Sequence, residues 1–262
     1  MDKNMKEVVA VVTGGSSGVG KSIAERIINN NGKVIVIDIN EEKGEILAKA
    51  LGNNFMFIKA DVTSEKEIKE ALDKIKEEKI FSGINVLINC AGIVEWGVPY
   101  DFDGNTPLPL ENYKRVMDVN ALGTFNMTRL VINVMIENLP DANKQRGVII
   151  NIGSVMATDG REDLFAYCVS KAAVVGMTLP LARAVASKGI RVVTLSPGYI
   201  DTPMARTMGP IEKINEAMLE LNLFPKRIGQ PEEIAHVVQC IIENPFINAV
   251  NITVSGGYHY VK

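Results

Sequence analysis

The sequence predicts a single α/β domain over residues 1–262, built on a doubly wound, seven-stranded parallel sheet with helices on both faces (a Rossmann fold). Three observations lead there. Short β-branched runs alternate with longer amphipathic stretches from one end of the chain to the other. The runs are apolar throughout instead of alternating, as strands covered on both faces must be. The first run ends in a glycine-rich turn that opens a helical pattern. With 262 residues, 47% of them apolar, the chain can bury one substantial core.

The strand candidates in order are Val8–Val12, Lys33–Ile37, Phe55–Ile58, Ile84–Ile88, Gly147–Ile152, Ile190–Leu195 and Ala249–Val254. Between the first two, Val19, Ile23, Ala24, Ile27 and Ile28 share one helical face, and Asn31-Gly32 stops it. Ser64 and Glu67 have the spacing of a capping box at the head of a charged helix from Glu65 to Glu78. Further helices are expected at Glu111–Asn138 and Leu164–Ser187. Two segments break the rhythm: one rich in Gly, Pro and Asp from Trp96 to Pro109, the other from Tyr199 to Gly229. Both follow strand ends, where open α/β sheets bind ligands, so residues 94–113 and 199–229 are the expected walls of a site. Tyr199, Met204, Met208, Met218, Leu221 and Leu223 make the second segment apolar, as a substrate wall or as a lid helix docked on the body.

The glycine turn, TGGSSGVGKS from Thr13 to Ser22, admits two phosphate-binding readings. Gly15, Gly20, Lys21 and Ser22 match a nucleoside-triphosphate loop; Gly14, Gly18 and Gly20, with Ser16 and Ser17 between them, match a dinucleotide turn. The second run ends in Asp38, 18 residues beyond Gly20. A carboxylate there accepts both hydroxyls of an adenosine ribose and repels a 2′-phosphate, which favours NAD.

Tyr167 and Lys171 stand at i and i+4, hence on one helical face. A phenol with a pKa near 10 is a poor base at neutral pH. A neighbouring ammonium, helped by a cationic nicotinamide, is expected to bring it down. Ser154 closes the fifth run, 13 residues before Tyr167, where its hydroxyl can hold a substrate oxygen. Asn89-Cys90-Ala91-Gly92 closes the fourth run with residues small enough for a cofactor to lie on the backbone. Asn120, mid-helix in VMDVNALGT, needs polar partners of its own, in the core or in a site.

Other chemistries are disfavoured. The net charge is −3, with no basic excess for nucleic acid. His236 and His259 have no ligand partner at metal-binding spacing, so no metal is expected. Cys90, Cys168 and Cys240 are odd in number and far apart, which fits a reducing compartment. With no leader signal and no continuous apolar span read in the sequence, the expectation is a cytoplasmic protein without a membrane partner.

Taken in this order, the motifs resemble the short-chain dehydrogenase/reductase family over essentially the whole chain. The resemblance implies a tetrad of Asn120, Ser154, Tyr167 and Lys171, with Tyr167 as general acid/base and Ser154 orienting substrate. Lys171 would hold the nicotinamide ribose, and Asn120 would position a relay water. It also implies cofactor contacts from Ser17 and Val19, Asp38, Asp61 and Val62, Cys90 and Ala91, and Pro197, Gly198, Ile200 and Thr202. LGNNF, ADVTSEK, NCAGI, DVN with GTFN, QRGVIIN, GMTLP and IIENPF are similar to one subgroup that uses NAD on secondary alcohols. Its candidate substrates are short-chain 3-hydroxyacyl-CoA, steroids and simple alcohols, and it assembles as a homotetramer. A biosynthetic 3-oxoacyl thioester reductase and an NAD-binding scaffold are the alternatives. Subgroup members that handle CoA esters carry lysines in the 94–113 insertion. Here no Lys or Arg lies between Lys79 and Lys114, while Glu95, Asp101, Asp103 and Glu111 do. Arg206, Lys213, Lys226 and Arg227 are the basic residues of the other wall, balanced by Asp201, Glu212, Glu216 and Glu220.

Overall fold

The computed structural model describes residues 5–207 and 209–259; Met208, one of the expected apolar wall residues, lies outside them. Seven parallel strands form the sheet: β1 (Val9–Thr13), β2 (Lys33–Asp38), β3 (Phe55–Lys59), β4 (Val86–Asn89), β5 (Gly147–Ile152), β6 (Ile190–Pro197) and β7 (Asn251–Val254). Their order is β3-β2-β1-β4-β5-β6-β7, so the winding direction reverses between β1 and β4. Every expected run is a strand, with ends moved by a residue or two. The last starts late because Ala249 has φ 56°, outside extended backbone.

Side chains alternate between two cores. Ala10, Val12, Val34, Val36, Ile88 and Ile150 face α1 (Gly18–Asn29) and α10 (Pro231–Glu243). Val11, Ile35, Ile37, Leu87 and Ile149 face α3 (Glu65–Glu77), α5 (Thr124–Met135) and α7 (Phe165–Val185). The remaining helices are α2 (Glu41–Leu51), α4 (Leu110–Met117), α6 (Met156–Asp159), α8 (Pro203–Arg206) and α9 (Ile211–Leu221).

Three expectations need correction. Ser64 Oγ does accept from Glu67 N, but Glu67 Oε2 accepts from Asp61 N at 2.9 Å, so the capping box is half formed and the carboxylate braces the preceding loop. The helix expected over Glu111–Asn138 is α4 and α5 joined by a π-helical turn, Asp118–Gly123. Asn120 in this turn is pulled toward Ile93, and the missing Cβ of Gly123 makes room for Val62, whose Cγ2 lies 2.6 Å from where that Cβ would be. Finally, α7 belongs to a stretch, Phe165–Lys188, long and apolar enough by composition to cross a bilayer, contrary to the expected absence of such a span. Here it lies against the sheet, with Ser170, Lys171, Val174 and Thr178 buried.

Residues 94–113 leave the body as a small hairpin, Tyr100–Asp101 against Thr106–Pro107. Its turn is closed by Asp101 Oδ1, which accepts from Asp103 N at 3.1 Å and Gly104 N at 3.0 Å.

At the far end of β6, Arg191 is buried, and oxygen acceptors hold it in place. It donates to Gln145 Oε1 at 2.6 Å, Ile247 O at 2.6 Å and Ile242 O at 3.3 Å, tying β6 to the end of α10. Arg191→Ala leaves these acceptors buried and unpaired and is expected to cost about 2–4 kcal/mol. Urea melts should show this as a lower midpoint at unchanged slope.

Candidate active site

The crevice opens where the winding reverses, beyond the carboxyl ends of the strands. Gly14 has φ 62°, and a Cβ on it would fall 2.7 Å from Ala91 Cα, so the ends of β1 and β4 meet backbone to backbone. Thr13 Oγ1 accepts from both Cys90 N and Ala91 N at 3.1 Å and fixes that contact. Gly20 is equally constrained: its Cβ would lie 2.4 Å from Gly14 O. The result is a bare cradle ending in the N-terminus of α1, where Ser17 makes no side-chain cap and the first amides remain available to an anion.

A cleft of about 360 Å³ runs from this cradle across the sheet. Among the expected residues, Gly14, Ser17, Gly18, Val19, Gly20, Asp38, Asp61, Val62, Cys90, Ala91, Gly92, Ser154, Tyr167, Lys171, Pro197, Gly198, Ile200 and Thr202 line it. Thr202 crosses above Gly18, its Cγ2 3.2 Å from that residue's virtual Cβ, and closes the cradle from the other side. Three expected residues stand behind the wall. Ser16 donates through N and Oγ to Asp38 Oδ2, holding the carboxylate at the mouth. Asn89 Nδ2 donates to Thr128 Oγ1 and Asn151 Oδ1, tying β4 to α5 and β5. Asn120 accepts from Ile93 N at 2.8 Å and donates to Ile93 O and Ser170 Oγ, each at 2.9 Å.

The triphosphate-loop reading fails in this geometry. Lys21 points out to Glu25 at 3.6 Å, and Ser22 is turned inward and buried. The cradle, the α1 terminus and Asp38 instead fit a dinucleotide: backbone for the diphosphate and a carboxylate for the ribose.

Tyr167 and Lys171 both face the cleft from the first turns of α7, with Lys171 Nζ 5.7 Å from the Tyr167 ring centre. Lys171 donates to Ile152 O at 2.8 Å and, with Asn120 Oδ1, flanks Gly92. Burial dominates the electrostatics. It pushes the Tyr167 phenol up to about 12, against a hydrogen bond from Ser154, and the Lys171 ammonium down to about 8. The expected lowering of the phenol is therefore absent in the protein alone: desolvation outweighs the opposing Ser154 hydrogen bond. The Cys90 thiol is raised to about 11 for the same reason.

The outer wall differs from expectation. Residues 94–113 are absent from the cleft lining, although Val94 packs in the cluster that holds Leu164, Tyr167 and Tyr199; the 199–229 segment contributes Tyr199, Ile200, Thr202, Pro203, Met204 and Ala205. Met218 and Leu221 instead pack in the cluster under α9, and Leu223 is exposed. The sequence reading missed Ile39, Ile93, Val119, Val155, Met156 and Leu164, all of them in the lining. Ile39 is exposed directly after Asp38, which the sequence pattern does not reveal. Of the basic residues in the outer wall, Arg206 pairs with Asp201 and Arg227 with Glu233.

A family model described as short chain dehydrogenase matches residues 8–213. The chain is 45% identical over 254 residues to 3-hydroxyacyl-CoA dehydrogenase type-2 of Rattus norvegicus, covering 97% of this chain and 96% of that one. It is 33% identical to ipsdienol dehydrogenase of Ips pini, covering 96% and 97%. A crystal structure of 3-hydroxyacyl-CoA dehydrogenase type-2 from Mycobacterium avium superposes with a TM-score of 0.91 at 28% identity, covering 99% of this chain and 98% of that chain.

Burying Lys171 costs stability. Its pKa falls from 10.5 in the open chain to about 8 on folding, so the penalty is full below about 8 and fades as pH rises toward 10.5. Lys171→Met should stabilise the fold at neutral pH by roughly 1–3 kcal/mol, net of the bond lost to Ile152, and by little above pH ~10. Thermal melts of both proteins across that range check it.

Proposed function

The chain belongs to the short-chain dehydrogenase family, and on that premise we propose that it is an NAD-dependent dehydrogenase of short-chain 3-hydroxyacyl thioesters. As a family member it is an oxidoreductase that interconverts a secondary alcohol and a ketone with a nicotinamide cofactor. The observation that carries the reading is the convergence of Ser154, Tyr167 and Lys171 beside a dinucleotide cradle. The 45% identity to a 3-hydroxyacyl-CoA dehydrogenase supports the substrate class.

When bound, the dinucleotide supplies the hydride acceptor, so the alcohol loses a hydride to it and a proton to the protein. In this reading Ser154 holds the substrate oxygen against the Tyr167 hydroxyl, and Tyr167 takes the carbinol proton on oxidation or gives one to the ketone on reduction. Lys171 has three N–H donors, one of them on Ile152 O, and the others would hold the nicotinamide ribose. Asn120 keeps the Gly92–Ile93 wall beside Lys171 in place through its paired bonds to Ile93. Asp38, held by Ser16, favours NAD over NADP because a 2′-phosphate would meet a carboxylate.

A specific observation favours a second reading, an alcohol dehydrogenase acting on substrates without CoA. Arg206 and Arg227 are already paired with carboxylates, and the 94–113 insertion offers no cation to a nucleotide phosphate.

The assembly we favour is a homotetramer. Only a third of the apolar window in Phe165–Lys188 is buried within one chain, and Phe165 and Leu179 on α7 are exposed, as are Leu122 and Phe125 on the neighbouring helix. A second copy covering these helices removes that surface from water. The three thiols fit a reducing, cytoplasmic setting.

Following NADH absorbance with acetoacetyl-CoA and then with CoA-free acetoacetate esters tests the substrate. Preferred turnover of the CoA ester supports the first reading, and turnover of the CoA-free compounds alone the second. Tyr167→Phe should lower kcat at least a thousandfold while NADH still binds; retained turnover would sink both. Sedimentation equilibrium should return a four-chain mass, and Leu179→Glu should shift it to smaller species.

A further inference from the structure

The cleft lined by Ser154 and Tyr167 is also lined by Met156, Leu164, Tyr199 and Met204. Of the side chains of these four residues, only that of Tyr199 carries a hydrogen-bonding hydroxyl. The Tyr199 ring lies 5.4 Å from that of Tyr258, and its oxygen is 2.8 Å from Nη1 of Arg161. A guanidinium has only donors, so Arg161 donates and Tyr199 accepts. The phenolic hydrogen takes no part in that bond and remains for another acceptor.

Arg161 is itself fixed from several sides. Its Nε and Nη2 form a fork on Asp163, with Nε 2.9 Å from Oδ1. Its backbone N–H donates to Cys168 Sγ at 3.3 Å, and its guanidinium carbon sits 5.7 Å from the Trp96 ring centre. The Arg161–Asp163 pair carries no net charge, so it exerts little long-range pull on a substrate carboxylate. What it provides is a hydroxyl held in place and polarised by a cation, which makes that hydroxyl a stronger donor. Burial raises the Tyr199 pKa above its ordinary value, against the opposing effect of Arg161, so the hydroxyl keeps its proton. Tyr199 is also near Tyr167: charge on either phenol opposes charge on the other.

We propose that Tyr199, positioned by Arg161, donates a hydrogen bond to the second oxygen of a β-oxygenated carbonyl substrate, the ester or thioester carbonyl next but one to the reacting carbon. The proposal rests on the 3-hydroxyacyl reading and deepens it by naming what is recognised in the acyl portion. The second oxygen is common to CoA thioesters and to simple esters. A pocket that reads it selects β-hydroxyacyl compounds over plain secondary alcohols without any cation for the CoA phosphates. A half-buried donor left without its acceptor is what disfavours the plain alcohol.

The test compares reduction of ethyl acetoacetate with that of its ethoxy ketone analogue, in which a methylene replaces the ester carbonyl. The intrinsic reactivity of each ketone cancels when a variant is divided by wild type. In Tyr199→Phe, which keeps the ring and deletes the donor, the ester-to-analogue ratio of kcat/KM is expected to fall about 10- to 100-fold. Arg161→Met should lower the same ratio by a smaller factor, chiefly through KM for the ester, and Arg161→Lys should recover part of it. The Arg161 series decides the matter alone if Tyr199→Phe does not fold. A wild-type preference for the ester that survives in both Tyr199→Phe and Arg161→Met overturns the role of Tyr199 and leaves the 3-hydroxyacyl reading standing. A wild-type enzyme with no preference for the ester overturns both.

Discussion

Everything functional in this molecule depends on two backbones touching at the carboxyl ends of β1 and β4. Gly14 lies against Ala91 closely enough to exclude a Cβ, and the Thr13 hydroxyl holds Cys90 N and Ala91 N across the junction. Because the winding reverses there, the chain leaving β1 and the chain leaving β4 diverge, and the crevice is the space between them. The cradle, the start of α1 and the wall from Cys90 to Ile93 are all positioned by this one contact. A larger residue at Gly14 would spread the two strands and widen the floor on which a dinucleotide must lie.

The π-helical turn does comparable work on the other side. A regular helix through Asp118–Gly123 would place the Asn120 amide elsewhere along the wall; the wider turn lets it take both backbone groups of Ile93 and reach Ser170. Ser170 in turn donates to Tyr167 O, so the helix carrying the phenol and the ammonium is clasped to the wall carrying Gly92. An orienting network of this kind costs regular helical bonding and ties the helix carrying Tyr167 and Lys171 to the Gly92–Ile93 wall.

What could be read in the sequence is what local pattern encodes. Seven apolar runs report strands because period and length are written in neighbouring residues, and Tyr167 with Lys171 report a shared face because four residues span one helical turn. Asp38 was legible because it ends a strand whose partner carries the glycine turn. Composition marks residues 94–113 as irregular but does not show their hairpin, whose turn Asp101 closes. Ile39, Ile93 and Leu164 gave no pattern because the direction of a side chain just past a strand end is decided by packing. The Arg161–Tyr199 bond joins residues 38 apart through two different loops, and nothing in either loop announces the other.

The pKa pattern ties structure to chemistry in an unexpected order. Burial moves the Tyr167 phenol and the Lys171 ammonium toward their neutral forms, so the protein alone does not hold a phenolate at neutral pH. The same dryness that raises the phenol also strengthens any positive charge later placed beside it. A cationic cofactor bound here would bring such a charge and would favour the phenolate together with the Ser154 hydrogen bond. Without such a charge the Tyr167 phenol keeps its proton. Burial by itself thus holds Tyr167 as a protonated phenol, and a positive charge placed beside it would oppose that bias.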